Sequence, residues 1–386
     1  MNGRRAAAVG ALATTAAATV TGVALTGAAV SFARAVVTPR RHKPDDLEVL
    51  QVGPRRVVLS ATADTVVPGR YGVWTDGGRG HFRVGDVLEA GPGRVTRELL
   101  GVDAGTPVPG HARWNQYYYA GDPTTALGLE HRDLTVRSAV GDLPCWFVPG
   151  DSPTWAVLVH GRGATREEAL RAVPALHALG LPCLVPSYRN DADAPQAEPG
   201  LYGLGDTEWH DVEAVARYAL DHGAQRLLLV GWSMGGAILL QLVARSDLAA
   251  EVVGLVLDGP VVDWFDVLDH QARQRGVPVR LGRYGVQLLG HPLGRRLVGL
   301  EGPVDLRTMD WVTRAEELSL PVLLLHSDAD DYVPSGPSQR LARARPDLVT
   351  YVGSSTARHT KEWNVDPAGW ESAVTEFVTS KLEVGG

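Results

Sequence analysis

Lysine is nearly missing from this chain: Lys43, Lys361 and Lys381 stand against 34 arginines in 386 residues. With alanine and glycine so abundant, this reads as a bias of the coding sequence, so no arginine here signals a choice over lysine. Cysteine is scarce too. Cys145 and Cys183 are too few for a disulfide framework and read as small buried hydrophobes with free thiols. No CxxC or HExxH spacing occurs and the twelve histidines are scattered, which leaves a metal site without support. Positive charge is not in excess either. A net charge of −7 argues against a nucleic-acid partner. No internal repeat is visible.

Charge is also absent from Ala6 to Ala33. This stretch follows Arg4 and Arg5 and is long enough to cross a bilayer as a helix. It exceeds the usual apolar core of a signal peptide. We therefore expect an N-terminal apolar helix that anchors the chain in a membrane. The small residues around Arg34 offer the alternative of signal cleavage and export. Arg34, Arg40, Arg41 and Lys43 balance the two leading arginines, so the positive-inside rule assigns no orientation.

What is present falls into three parts. Residues 1–43 hold the apolar helix and a basic linker. Residues 44–128 read as a β-rich accessory segment, with short strand-like runs such as "RRVVLSAT" and "YGVWT" and a turn at "EAGPGR". The aromatic run Tyr117 to Tyr119 closes that segment and is expected to pack it on its neighbour. From 129 to 386, apolar strands alternate with amphipathic helices, which predicts a mostly parallel, doubly wound sheet covered on both faces. An insertion over about residues 261–316 is expected to form a cap. Between His270 and Leu300 it carries Arg273, Arg275, Arg280, Arg283, Arg295 and Arg296 and no acid. That is either a solvated face or a lid turned toward anionic lipid or an acidic substrate.

"LLLVGWSMGGAILL", residues 227–240, is an apolar strand pattern that ends in glycines around a serine and resumes as a helix. Glycines two positions either side of Ser233 remove side chains that a sharp strand-to-helix turn would drive together. Such a turn presents the hydroxyl above the sheet, at the positive end of the following helix. A serine needs a base, and the base needs an orienting carboxylate. Asp328, Asp330 and Asp331 follow the apolar run "PVLLL", and His359 follows "VTYVG". These positions fall at the carboxyl ends of later strands, where doubly wound folds build their sites. The chain order is Ser, Asp, His.

From about residue 130 onward the sequence resembles the α/β-hydrolase superfamily. "GWSMGG" is similar to its nucleophile elbow, "HGRG" (His160 to Gly163) to its oxyanion loop, and "HSDADDYVP" to the stretch bearing its acid, with Ser327 in place of the usual glycine. The whole chain resembles membrane-tethered actinobacterial α/β-hydrolases. The resemblance implies Ser233, Asp330 and His359 as the catalytic residues, with Asp328 and Asp331 on variable positions. It implies the backbone N–H groups of Met234 and Arg162 as the oxyanion hole, and leaves His160 to brace the loop. It also sets the strands of Cys145 and Cys183 side by side. The expected activity is that of a serine hydrolase acting on a small acyl substrate, an ester before an amide or thioester, without a cofactor. A carboxylesterase or lipase fits best. The accessory segment is too short for the propeller of prolyl-oligopeptidase-type peptidases, while a peptidase lacking one stays open. An acyltransferase and a silent binding module on the same fold are the alternatives.

Overall fold

The computed structural model describes residues 24–39 and 43–383. Strands β1 (Leu47–Val52), β2 (Arg56–Ser60), β3 (Tyr71–Thr75), β4 (Gly80–Gly91), β5 (Arg94–Ala104) and β6 (Gly110–Asn115) close into an antiparallel barrel in the order β1-β2-β5-β4-β3-β6. Period-two alternation turns Val57, Leu59, Tyr71, Val73, Phe82, Val84 and Val95 inward. One charged side chain shares that interior. Arg97 is fully buried and its guanidinium donates to the carbonyls of Thr65, Val67, Gly69 and Gly85. It thereby fixes the loop between β2 and β3, since a buried charge persists only where its donors are satisfied.

The second unit is an eight-stranded sheet. Its strands are β7 (Arg132–Ser138), β8 (Gly141–Val148), β9 (Thr154–Val159), β10 (Cys183–Pro186), β11 (Arg226–Trp232), β12 (Val252–Asp258), β13 (Val322–Ser327) and β14 (Val349–Ser354), in the order β14-β13-β12-β11-β9-β10-β8-β7. Strand β8 runs antiparallel to both of its neighbours, β7 and β10, and the other pairings are parallel. The parallel strands are near-continuous apolar runs because helices cover both faces. One face packs on a helix over Val173–Ala178 and on the last helix, Pro367–Glu383. The other packs on helices Trp209–Asp221, Met234–Arg245 and Gly336–Ala344, and on the cap.

The cap lies between β12 and β13 and consists of helices Trp264–Gln274, Val279–Gly290 and Gly294–Val298. Part of its arginine set is engaged internally: Arg283 pairs with Asp269 at 2.6 Å and Arg275 lies over the Phe32 ring.

The N-terminus departs from expectation. Residues 24–37 form a helix, but it packs into the unit of the eight-stranded sheet. Ala29, Phe32, Ala33, Val36 and Val37 are buried in the core on the cap side. A β-carbon on Gly285 would come within 2.7 Å of the Ala29 carbonyl oxygen, so this helix and the cap touch backbone to backbone. The C-terminal third of the uncharged stretch is therefore occupied in protein packing. Among the described residues no helix is long and apolar enough to cross a membrane. The expected anchor over residues 6–33 is corrected to that extent, and residues 6–23 lie outside the described residues.

Both cysteines are free. Their strands are neighbours, but Cys145 sits in the core on one face of the sheet and Cys183 in that on the other. Alternation along the strands keeps the sulfurs apart.

Candidate active site

Strand β11 ends at Trp232, and a helix starts at Met234. Between them Ser233 has φ 52° and ψ −116°, a strained conformation for a residue with a side chain. The glycines make it sterically possible. A β-carbon on Gly231 would stand 2.8 Å from the Gly235 backbone, and one on Gly235 would stand 2.1 Å from the Val159 carbonyl. The Ser233 N–H donates to the Asp258 carbonyl, and its own carbonyl accepts from Gly236 and Val261. The turn is thus tied to the ends of β12 and the new helix.

Ser233 Oγ lies 2.9 Å from His359 Nε2, and His359 Nδ1 lies 2.7 Å from Asp330 Oδ2. The loops after β13 and β14 bring these two residues to the serine from positions 97 and 126 residues further along the chain. Asp330 Oδ1 accepts from the N–H groups of Tyr332 and Val333, both at 2.8 Å. Burial alone would raise the Asp330 carboxyl, but the neighbouring His359 and His326 imidazoles hold it well below the usual carboxylate range. For His359 burial works downward, and the Asp330 carboxylate outweighs it and raises the imidazole above its ordinary value. Neither of the other two carboxylates bonds the His359 ring, although Asp331 accepts its backbone N–H at 3.5 Å. Asp328 accepts from Ser335 and Gln339, and Asp331 pairs with Arg358.

The remaining sequence-picked residues sit around the serine. Met234 is the first residue of its helix and is fully buried, so its N–H belongs to the unsatisfied helix start. Arg162 lies in the loop after β9. A solvated side chain is the plain expectation there, yet this one is a tie. It donates to the carbonyls of Ala35 and Thr38 at the end of the N-terminal helix and to the Tyr332 hydroxyl. The Tyr332 ring in turn lies 5.2 Å from the His359 ring. His160 is fully buried, with Nε2 2.9 Å from Asp191 and Nδ1 2.9 Å from the Gly161 carbonyl. Burial lowers its pKa, but the Asp191 carboxylate overrides this and pushes it up to about 9. An imidazolium donates from both nitrogens, which suits both partners.

Three buried carboxylates escaped sequence reading. Glu168 accepts the Gly161 N–H at 2.7 Å and the Thr360 hydroxyl at 3.5 Å, so it joins the loop after β9 to the loop of His359. Asp258 and Glu362 form a second feature beneath the site. Trp370 donates to Asp258 and the Ser327 N–H to Glu362. The two carboxyls face each other, and Asp258 Oδ1 and Glu362 Oε2 have no other partner. Burial, and then the neighbouring Asp258, push Glu362 well above the carboxylate range. Carboxylates carry no local sequence pattern that marks burial. Among the described residues, no group of three or more His, Cys, Asp or Glu side chains is placed to hold a metal ion.

Comparison with known proteins agrees with this architecture. A family model described as alpha/beta hydrolase fold matches residues 155–279, and one described as a domain of unknown function, DUF8805, matches residues 48–115. The structure of the Pyrococcus furiosus esterase Pf2001 superposes with a TM-score of 0.53 at 18% identity, covering 68% of this chain and 95% of that one. The uncharacterized protein Rv2307c of Mycobacterium tuberculosis is 25% identical over 261 residues, 66% of this chain and 81% of its own. Residues 155–279 are thus similar to the alpha/beta hydrolase family and the eight-stranded unit has that fold, with the barrel placed ahead of it.

Proposed function

We propose that this protein is a serine hydrolase that cleaves a carboxylic ester through an acyl-enzyme. The observation that carries this reading is the unbroken hydrogen-bonded line from Asp330 through His359 to Ser233, which is held in a strained turn at a helix start. Ser233 Oγ attacks the acyl carbon while His359 Nε2 takes its proton. Asp330 keeps the imidazole in the tautomer that accepts there and offsets the charge it gains. The N–H groups of Met234 and Arg162 receive the tetrahedral oxyanion. On collapse the alcohol leaves with the proton from His359. Water then attacks the acyl-enzyme, again with His359 as base, and the free acid departs as Ser233 recovers its proton. Each step is complete with these side chains and water.

The test is labelling by a fluorophosphonate, which reacts only with an activated serine, together with turnover of short-chain nitrophenyl esters. The parent protein labels and turns over. Ser233→Ala folds normally and does neither, and unchanged turnover in that variant would sink the assignment. A panel of acyl chain lengths and head groups then defines the substrate.

A further inference from the structure

We propose that the β-barrel is a clamp for the catalytic histidine loop and that Asp64 is its positioning residue. This rests on the assignment of His359 as the base.

The loop of His359 is strained at its most sensitive point. Thr360, directly after the histidine, has φ 52°, a region that costs a threonine free energy and persists only where surrounding contacts over-determine it. Thr360 itself is bonded to Arg171 and Glu168 of the hydrolase core, while the residues on either side of it are held from the barrel. Asp64, in the loop between β2 and β3, lies 3.2 Å from Arg358 Nη1 and 2.8 Å from Lys361 Nζ. It therefore grips the residue before His359 and the residue two after it. One turn further, the Arg70 N–H donates to the Asn364 carbonyl at 2.8 Å, and Asn364 Nδ2 donates back to the carbonyls of Arg70 at 2.6 Å and Gln116 at 2.9 Å. Gly69 lies against the same carbonyl so closely that a β-carbon would stand 2.3 Å from the Asn364 oxygen. Tyr118 and Tyr119 pack on the Trp363 ring.

The gripping loop is itself held from inside the barrel. Arg97 gathers the carbonyls of Thr65, Val67 and Gly69, the residues just after Asp64. A rigid path thus runs from the barrel interior through Arg97 and Asp64 to the two sides of His359. From the opposite side Arg171 donates to the Thr360 carbonyl and to Asn364 Oδ1. The histidine loop is held between the barrel and the hydrolase core.

The Asp64 side chain is 36% exposed, and solvent screening limits what its ion pairs add to folding stability, so its contacts are not explained by stability alone. Geometry is another matter, because a displacement of about 1 Å in a reacting group costs on the order of 100-fold in rate.

The experiment compares Asp64→Asn with the parent full-length protein, and with Glu89→Gln as an exposed barrel carboxylate away from the loop. Kinetics on a nitrophenyl ester are read together with the melting midpoint. Asp64→Asn is expected to lower kcat by about 10- to 100-fold with KM nearly unchanged and the melting midpoint kept. Glu89→Gln behaves as the parent. The charged groups near His359 are Asp330 and Asp331 from the loop after β13, Glu168 from the loop after β9, its own neighbours Arg358 and Lys361, and Asp64. Losing Asp64 leaves Arg358 and Lys361 less neutralised, which disfavours the imidazolium. The acid limb of the rate profile therefore moves to lower pH, a shift that a smaller folded fraction does not produce. Asp64→Glu restores part of kcat.

A folded Asp64→Asn with parental kcat and an unmoved acid limb overturns the clamp. If that variant does not fold, Arg358→Gln and Lys361→Gln cut the same contacts from the other side, and parental kcat in both overturns it equally. Failure of the underlying reading looks different. Turnover that survives Ser233→Ala removes the triad, whereas a silent Ser233→Ala with a normal Asp64→Asn removes only the clamp.

Discussion

Asp330 shows at the scale of one residue how neighbours choose among three acids. It alone among Asp328, Asp330 and Asp331 bonds the His359 ring, and its second oxygen is saturated by two backbone N–H groups. Asp330→Asn should cut kcat by roughly 10⁴-fold, because an amide no longer fixes the tautomer that accepts the serine proton. Asp328→Asn and Asp331→Asn should do far less, and a crippling Asp328→Asn in steady-state kinetics would refute the assignment. The pH dependence follows from the raised His359. Turnover needs the neutral imidazole, so activity is lost as pH falls through that group's pKa. A raised value places the acid limb above the ordinary histidine range of about 6.5. The serine and its partners were legible because strained turns and strand ends leave sequence marks. Arg162 was legible only as a backbone donor. Its side-chain role depends on the carbonyls of Ala35 and Thr38, which no local pattern connects to residue 162.

Between elements, the buried Asp258–Glu362 pair lies where the end of β12 meets the short helix Glu362–Val365 and the last residue of β13. Two carboxylates in contact away from water cannot both ionise, so the pair holds a proton. Glu362 is raised in the folded protein. The stability it contributes is thus complete below the ordinary carboxylate range and is lost as pH rises through its native value. Glu362→Gln keeps an acceptor for the Ser327 N–H and gains a donor toward Asp258. It should fold and should lose less stability than the parent on going from mildly acidic to mildly alkaline pH. Melting midpoints across that range test this, and parallel curves for the two proteins would contradict it. The strands and helices that meet here were readable from their periodicity. The pairing was not, because a Glu at a helix start reads equally well as solvated. The barrel was legible as short strands but not as a closed barrel, since closure depends on β1 pairing with β6 across 61 residues or more (Val49 with Gly110).

Over the whole molecule, the hydrolase sheet is clasped from outside itself at two places: by the barrel at the histidine loop, and by the N-terminal helix at the loop of Arg162. The sequence separated that helix from the hydrolase-fold unit because an uncharged run beside a basic linker is the pattern of an anchor. The structure assigns residues 24–37 to the core because Phe32, Val36 and Val37 find apolar partners beneath the cap. Two shortened chains distinguish these roles. A chain beginning at Ala24 keeps every described contact and should match the parent in melting midpoint and ester turnover. A chain beginning at Pro44 loses the buried helix and both carbonyl partners of Arg162. Removing the Phe32 side chain alone should cost about 3–5 kcal/mol, so the shorter chain should melt well below the parent and lose turnover. Phe32→Ala in the full chain should reproduce part of the loss in stability. A Pro44 chain with the parent's melting midpoint and activity would return residues 24–37 to the role of a detachable leader.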